Sequence, residues 1–154
     1  MKNNRTPKRW HWIWLMPDEE SVMKIKNLSN QLGINHVKQN IQFHVTLSDS
    51  NLESIENWEN RRVKIESEFK LRGSYKSFYN SVVLIPSFED QFKQELSKYT
   101  AGMNQSILKS GFHLSLYYGD SISNMKFVEA KLDLVFDRIV IGLADEINWT
   151  WYEI

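Results

Sequence analysis

Two histidines, each followed two residues later by a hydroxyl, carry the spacing in this chain best suited to chemistry: His44 with Thr46, and His113 with Ser115. An unperturbed imidazole titrates near pH ~6.5, so it accepts or donates a proton close to neutrality. A pair of them can do both at once, one taking a proton from a nucleophile while the other gives one to a leaving group. Two hydroxyls beside them, with nearby backbone N–H groups, can hold nonbridging phosphate oxygens as charge develops. Together these groups meet the needs of phosphodiester cleavage without a metal. Acid-base help of this kind contributes roughly 10²–10⁴-fold per group.

Such a site needs elements that bring the two pairs together. Phe43-His44-Val45-Thr46-Leu47 and Phe112-His113-Leu114-Ser115-Leu116 both alternate apolar and polar residues, the pattern of a half-buried strand. Side chains two apart on a strand share a face, so each strand offers an imidazole beside a hydroxyl and buries its apolar back. The two strings belong to a longer repeat with an offset of 69 residues. Pro17 precedes His44 by 27 residues, and Pro86 precedes His113 by the same 27. Ile13-Trp14-Leu15-Met16-Pro17 matches Val82-Val83-Leu84-Ile85-Pro86 at the same offset. Each half therefore reads strand, proline, acidic helix start, helix, motif strand. Two such units packed about a pseudo-twofold axis would set the histidine pairs on opposite sides of one cleft. His11 and His36 have no counterpart under the repeat and read as surface or structural residues.

The remaining elements follow from local signals. A strand over 9–16 places Trp10, Trp12, Trp14 and Met16 on one face, at least one of those indoles serving the core. Asp18 caps a first helix whose opening Glu19 and Glu20 suit its positive end, with Gly33 at C′. The first motif strand spans 41–48. A short helix over 51–60, a strand over 62–69 and a strand broken by a bulge or loop near Gly73 over 71–79 come next. A strand over 81–85 ends at Pro86, and Ser87 caps a second helix with Phe88, Phe92, Leu96 and Tyr99 along one side. Residues 103–110 connect to the second motif strand, and 121–132 are ambiguous. A strand over 133–143, a turn over 144–147 and a last strand over 148–154 finish the chain, with Trp149 and Trp151 on one face. Tyr117 lies on the Ser115 face and so within reach of the cleft. Arg72 and Lys76 read as a solvated face rather than a phosphate cradle.

Composition narrows the class of function. The chain has 154 residues, enough for one domain with a sizeable core, and residues 1–8 read as a flexible lead. Its 19 Lys+Arg balance 19 Asp+Glu, which argues against long nucleic acid as a partner but leaves room for a small nucleotide. There are no cysteines, so disulfides and thiolate metal sites are excluded. No apolar run approaches the roughly 20 residues of a membrane helix, and no signal peptide is read at the N-terminus, so a cytoplasmic protein with no membrane partner is expected. Six tryptophans offer either bulky core packing or stacking surfaces for bases.

The paired strands and the repeat resemble the H-x-[ST] motifs and internal duplication of the two-histidine (2H) phosphoesterase superfamily. The resemblance spans most of the chain. It implies a single bilobal α+β domain over 1–154, with two pseudo-symmetric strand-helix-strand units and antiparallel sheets around a central cleft. It also implies His44, Thr46, His113 and Ser115 as catalytic residues, with no metal and no other cofactor. Within the superfamily the compact length and the Trp-rich first strand look most like the phage anti-CBASS enzymes, which cleave 3′,3′-cyclic dinucleotides such as cGAMP and related cyclic oligonucleotides. That likeness implies aromatic clamps on the bases, with Trp12 and Trp149 the best matches and Tyr75 a third, and action in the cytoplasm of a bacterial host. The alternatives are a 2′,3′-cyclic phosphodiesterase acting on RNA ends or nucleosides, and a noncatalytic cyclic-nucleotide sponge.

Overall fold

Strand alternation, a proline stop and a capped helix are what the first half of the chain builds in space. The computed structural model describes residues 9–33, 40–47, 58–76, 80–100, 111–119, 129–148 and 150–154, without the side chains of 40, 41, 73–76, 80, 81 and 117–119. Strand β1 (Arg9–Pro17) is buried on both faces from Ile13 onward, because it lies between two neighbouring strands with apolar layers above and below. Helix α1 (Glu19–Gln31) starts where Asp18 accepts a hydrogen bond from the Ser21 N–H at 2.8 Å, as expected of an N-cap. It stops before Gly33, whose φ of 76° is the left-handed conformation that glycine takes without strain. Ile25, Leu28 and Leu32 point into the core.

The first motif strand is shorter than its alternation predicts. Strand β2 (Asn40–Ile41) and strand β3 (Val45–Thr46) are separated by irregular backbone at Gln42, Phe43 and His44. The cause is a change of partner. β2 pairs in parallel with strand β8 (Thr150–Glu153), whereas β3 pairs antiparallel with β1 and with strand β6 (Leu114–Gly119). Residues 58–60 are not helical, and the rest of the helix expected over 51–60 lies outside the described residues.

Strand β4 (Arg61–Lys76) runs through Gly73 with a register shift between Leu71 and Gly73, the bulge expected there. Strand β5 (Asn80–Pro86) ends at its proline. Helix α2 (Glu89–Ser97) departs from expectation at its start. Phe88, not Ser87, is the N-cap residue, and no side chain caps it. The Ser87 N–H is still bonded to the Glu68 carbonyl at 2.9 Å, so strand pairing holds that residue and the helix begins later. Phe88 is left exposed, while Phe92 and Leu96 are buried. Strand β7 (Lys131–Asp145) outruns the expected 133–143, and the turn after it leads into β8.

Among the described residues the architecture is mixed α+β: two helices and one eight-stranded sheet, antiparallel except for the β2–β8 pair. The order is β1-β3-β6-β5-β4-β7-β8-β2, and β1 also pairs with β7, so six strands form a closed circuit with β8 and β2 appended. The sequence repeat reappears in the registers. β1 meets β3 through Trp14↔Thr46 and Leu15↔Val45; β5 meets β6 through Val83↔Ser115 and Leu84↔Leu114. Each residue of the second set is its counterpart in the first plus 69. The two motif strands meet at Val45↔Leu114, which are themselves 69 apart. Across the circuit, β4 and β7 pair symmetrically about Ser67↔Leu134, with Ile65↔Phe136 on one side and Phe69↔Leu132 on the other.

Both helices pack on one face of the sheet over a core that includes Ile13, Leu15, Val45, Leu84, Leu114, Phe69, Phe92 and Phe136. Phe92 touches Phe112 edge-on at 5.3 Å between ring centres, so the residue before each motif histidine anchors its strand in that core, as Phe43 does in the first half. The other face carries a smaller cluster of Trp14, Met16, Val140, Ala144 and Trp151, flanked by Trp10 and Trp12. No helix among the described residues is long and apolar enough to cross a membrane.

Candidate active site on the motif face

The Val45↔Leu114 bridge fixes where the four motif side chains go. Both bridge residues are fully buried against the helical side. In an antiparallel pair opposed residues share a face and successive ones alternate. Counting one step outward from the bridge sets His44 across from Ser115 and Thr46 across from His113, all four on the face opposite the helices. The site is thus a two-by-two array on adjacent strands. Ordinary sheet spacing puts diagonal positions such as those of His44 and His113 about 7–8 Å apart, a gap that one phosphodiester can bridge.

Each histidine is oriented by a carbonyl two residues before it. His44 Nδ1 lies 2.7 Å from the Gln42 oxygen, and His113 Nδ1 lies 3.3 Å from the Gly111 oxygen. A carbonyl only accepts, so in both rings Nδ1–H donates, and Nε2 is the nitrogen that could take or give a proton in acid-base chemistry. Gln42 and Gly111 are again 69 apart. Gly111 reaches its position with φ of 70°, and its N–H is bonded to Glu89 Oε1 at 3.1 Å, which ties the second motif to the start of α2. Gln42 is held from the other side. Its N–H bonds to the Trp151 carbonyl at 2.8 Å, and its Oε1 accepts the Glu153 N–H at 2.7 Å. The last strand therefore sets the carbonyl that sets His44.

His44 is buried and His113 half-buried. The His44 ring stacks on the indole of Trp14, with centres 3.8 Å apart and planes 19° apart. Trp14 in turn lies over Gly142, where a Cβ would come within 1.9 Å of its ring, so only glycine fits there. Ser115 is buried, and its Oγ has no hydrogen-bond partner among the described residues. An unsatisfied buried hydroxyl costs about 1–3 kcal/mol, which a ligand oxygen would recover. Thr46 is half-buried.

Among the described residues, β7 and β8 bring charged side chains to the sheet. On the same face, in register with Met16, Arg138 is gripped by Glu153 through Nε at 3.1 and 3.2 Å, and its Nη1 bonds Asp137 at 2.7 Å. The Glu153 bonds hold Arg138 charged well beyond the usual guanidinium range; partial burial opposes this and Asp137 adds to it. At the far end of β7, Asp145 accepts N–H bonds from Ile147 and Asn148, the Asn148 amide and Arg9 Nε. The Asn148 side-chain bond contributes most to lowering its carboxyl to about 2, with burial opposing.

The expected catalytic residues His44, Thr46, His113 and Ser115 are thus brought together on one face. Trp12 is half-buried on that same face of β1, in register with Gly142 and next to Trp10 at 6.5 Å between ring centres. Tyr75 pairs with Ser81 in the β4–β5 ladder, and Tyr117 pairs with Val82 just past a register shift; their side chains lie outside the described residues. Trp149 lies wholly outside them. Gln42 and Gly142 escaped the sequence reading, and Trp14 was read there only as a face residue of the first strand, not as the ring against His44. Trp14 was marked by the repeat itself, because Val83 stands at its counterpart, but the two glycine and glutamine roles depend on strands paired from opposite ends of the chain. No model of a known protein family matches the chain, and no curated protein matches it in sequence.

Proposed function

We propose that this protein is a metal-independent phosphodiesterase of the two-histidine kind, with two repeat-related lobes facing one cleft, acting on cyclic di- or oligonucleotide signals. The observation that carries the reading is the Val45↔Leu114 bridge, which sets two H-x-[ST] motifs 69 residues apart side by side on one face. One imidazole takes the proton from the ribose 2′-OH as O2′ bonds to the adjacent phosphorus. The P–O5′ bond breaks, and the other, protonated imidazole gives its proton to O5′. Thr46 and Ser115 donate to the nonbridging oxygens; the buried Ser115 hydroxyl, without a partner among the described residues, suits that task. The products of this step are a 2′,3′-cyclic phosphate and a free 5′-OH, and water then opens the ring with the two histidines in exchanged roles. The indoles of Trp10 and Trp12 beside the array supply apolar faces for a base. A substrate of this class would be an immune signal that a phage must destroy to survive in its host.

The test incubates the protein in excess chelator with 3′,3′-cGAMP and, separately, with nucleoside 2′,3′-cyclic phosphates. Cleavage of the cyclic dinucleotide to a linear product is expected. Loss of activity in chelator would overturn the metal-free mechanism, and turnover of the 2′,3′-cyclic monomers alone would move the substrate to RNA ends. Tight binding of cGAMP with no turnover would make the protein a sponge.

A further inference from the structure

Two buried side chains on the motif face hold a polar atom with no hydrogen-bond partner among the described residues: Ser115 through Oγ and Trp14 through Nε1. The proposed chemistry uses the first and leaves the second idle. Trp14 is 1% exposed, so its N–H meets neither a protein acceptor nor bulk water. An indole N–H can only donate, and a buried one normally finds an acceptor. Leaving it without one is costly, and a ligand oxygen recovers that cost. The repeat does not account for this donor, since Val83 stands at the counterpart of Trp14. We infer that Trp14 Nε1–H is a third donor to the substrate: it shares one nonbridging phosphate oxygen with Thr46, while Ser115 holds the other. The inference deepens the proposed function and rests on it.

The direction of the donor follows from how the ring packs. β1 lies between β7 and β3, with Trp12 opposite Gly142 on β7 and Trp14 opposite Thr46 on β3. The atoms nearest to a Cβ built at Gly142 are Cε3, Cδ2 and Cζ3 of Trp14, all in the six-membered ring. That ring therefore leans over β7, and the Cδ1–Nε1 edge across the indole turns toward β3. The stack with His44, 3.8 Å between ring centres, holds the indole plane and so aims the N–H. Opposed side chains on antiparallel neighbours have Cβ atoms about 4.5–5.5 Å apart, within reach of an indole. In the two-by-two array the histidines occupy one diagonal and the hydroxyls the other. An in-line displacement runs along the histidine diagonal, so the nonbridging oxygens project toward the hydroxyl diagonal. Ser115 stands at its β6 end and Thr46 at its β3 end, with Trp14 next beyond Thr46 on β1. Nε1 is closed to water in the free protein, so the contact forms as neighbouring side chains adjust to the phosphate. Once formed, it is a charge-assisted bond in a desolvated setting, where such bonds are strongest.

The first test compares 3′,3′-cGAMP with its (Rp,Rp) and (Sp,Sp) bisphosphorothioates, in which sulfur, a poor acceptor, replaces one or the other nonbridging oxygen. Trp14→Phe keeps an aromatic ring against His44 and removes the N–H. It is expected to slow cleavage of 3′,3′-cGAMP roughly 10- to 100-fold. One diastereomer, with sulfur where Trp14 donates, is expected to slow far less, and the other to slow as the oxygen substrate does. Thr46→Ala is expected to spare the same diastereomer, and Ser115→Ala the opposite one. A merely structural loss slows all three substrates alike, so equal slowing, or none, would overturn the inference. Sparing of the Ser115 diastereomer by Trp14→Phe would also overturn it. The second test needs no variant, should Trp14→Phe fail to fold. In ¹⁵N-labelled wild type, the Trp14 indole N–H is identified by its cross-peaks to the His44 ring. Binding of 2′-deoxy 3′,3′-cGAMP, which lacks the attacking hydroxyl, is expected to move this signal downfield as the N–H gains an acceptor. A signal that stays in place while the analogue binds would overturn the role of Trp14 and leave the proposed function standing. Absence of both binding and cleavage of any cyclic dinucleotide by wild type would refute the proposed function itself, and this inference with it.

Discussion

At the scale of single residues, the site depends on a stack of three: Gly142 beneath Trp14 beneath His44. The indole occupies the space that any side chain at 142 would need, its Cε3 lying 1.9 Å from an added Cβ. Gly142→Ala is therefore expected to displace Trp14 rather than to be absorbed, at about 1–3 kcal/mol of stability. It should also lower turnover by disturbing His44 through the stacked ring. Thermal melts and turnover of the variant check both, and unchanged values in both would show that Trp14 does not need its place. At the counterpart of Trp14 in the other half stands Val83.

At the scale of elements, the C-terminal hairpin of β7 and β8 does more than extend the sheet. It ends in Trp151 and Glu153, whose backbones hold Gln42, and it is closed by Asp145, which gathers three hydrogen bonds in the turn and a fourth from Arg9 of β1. The folded carboxyl, at about 2, lies below its ordinary 3.8, so its contribution is fully present above pH ~4 and is lost as pH falls through about 2. Asp145→Asn is expected to melt at lower temperature than wild type near neutrality, with the gap narrowing steadily below pH ~4. A gap constant from pH 7 to pH 2.5 would contradict this. Local signals made the elements that carry strong patterns legible. The Asp18 cap, Gly33, the proline-ended strands and the bulge near Gly73 all stand where the chain's own chemistry puts them. What local signals could not supply was partner choice. The break between β2 and β3 arises because two stretches of one alternating run pair with different strands, and Ser87 fails to cap α2 because β4 still holds its N–H.

At the scale of the whole molecule, the 69-residue repeat was the most informative feature of the sequence, and it survives as a repeat of register. It led to the expectation of two histidine pairs on opposite sides of one cleft; the bridge shows the motif strands side by side in one sheet, with the meeting point itself related by the offset. The closed circuit of six strands and the added β8–β2 pair were not legible, because both join residues more than a hundred positions apart whose side chains show no local trace of that pairing. The break in symmetry was equally hidden, since it lies in which ring stacks on which. If the two motifs form one site, their histidines act on the same phosphodiester and cannot contribute independently. The most direct measurement is turnover of 3′,3′-cGAMP by wild type, His44→Ala, His113→Ala and the double variant, all shown to be folded. Each single change is expected to cost roughly 10²–10⁴-fold, with the double variant no slower than the worse single. Losses that multiply in the double variant, or a single variant that cleaves at the wild-type rate, would contradict a shared site.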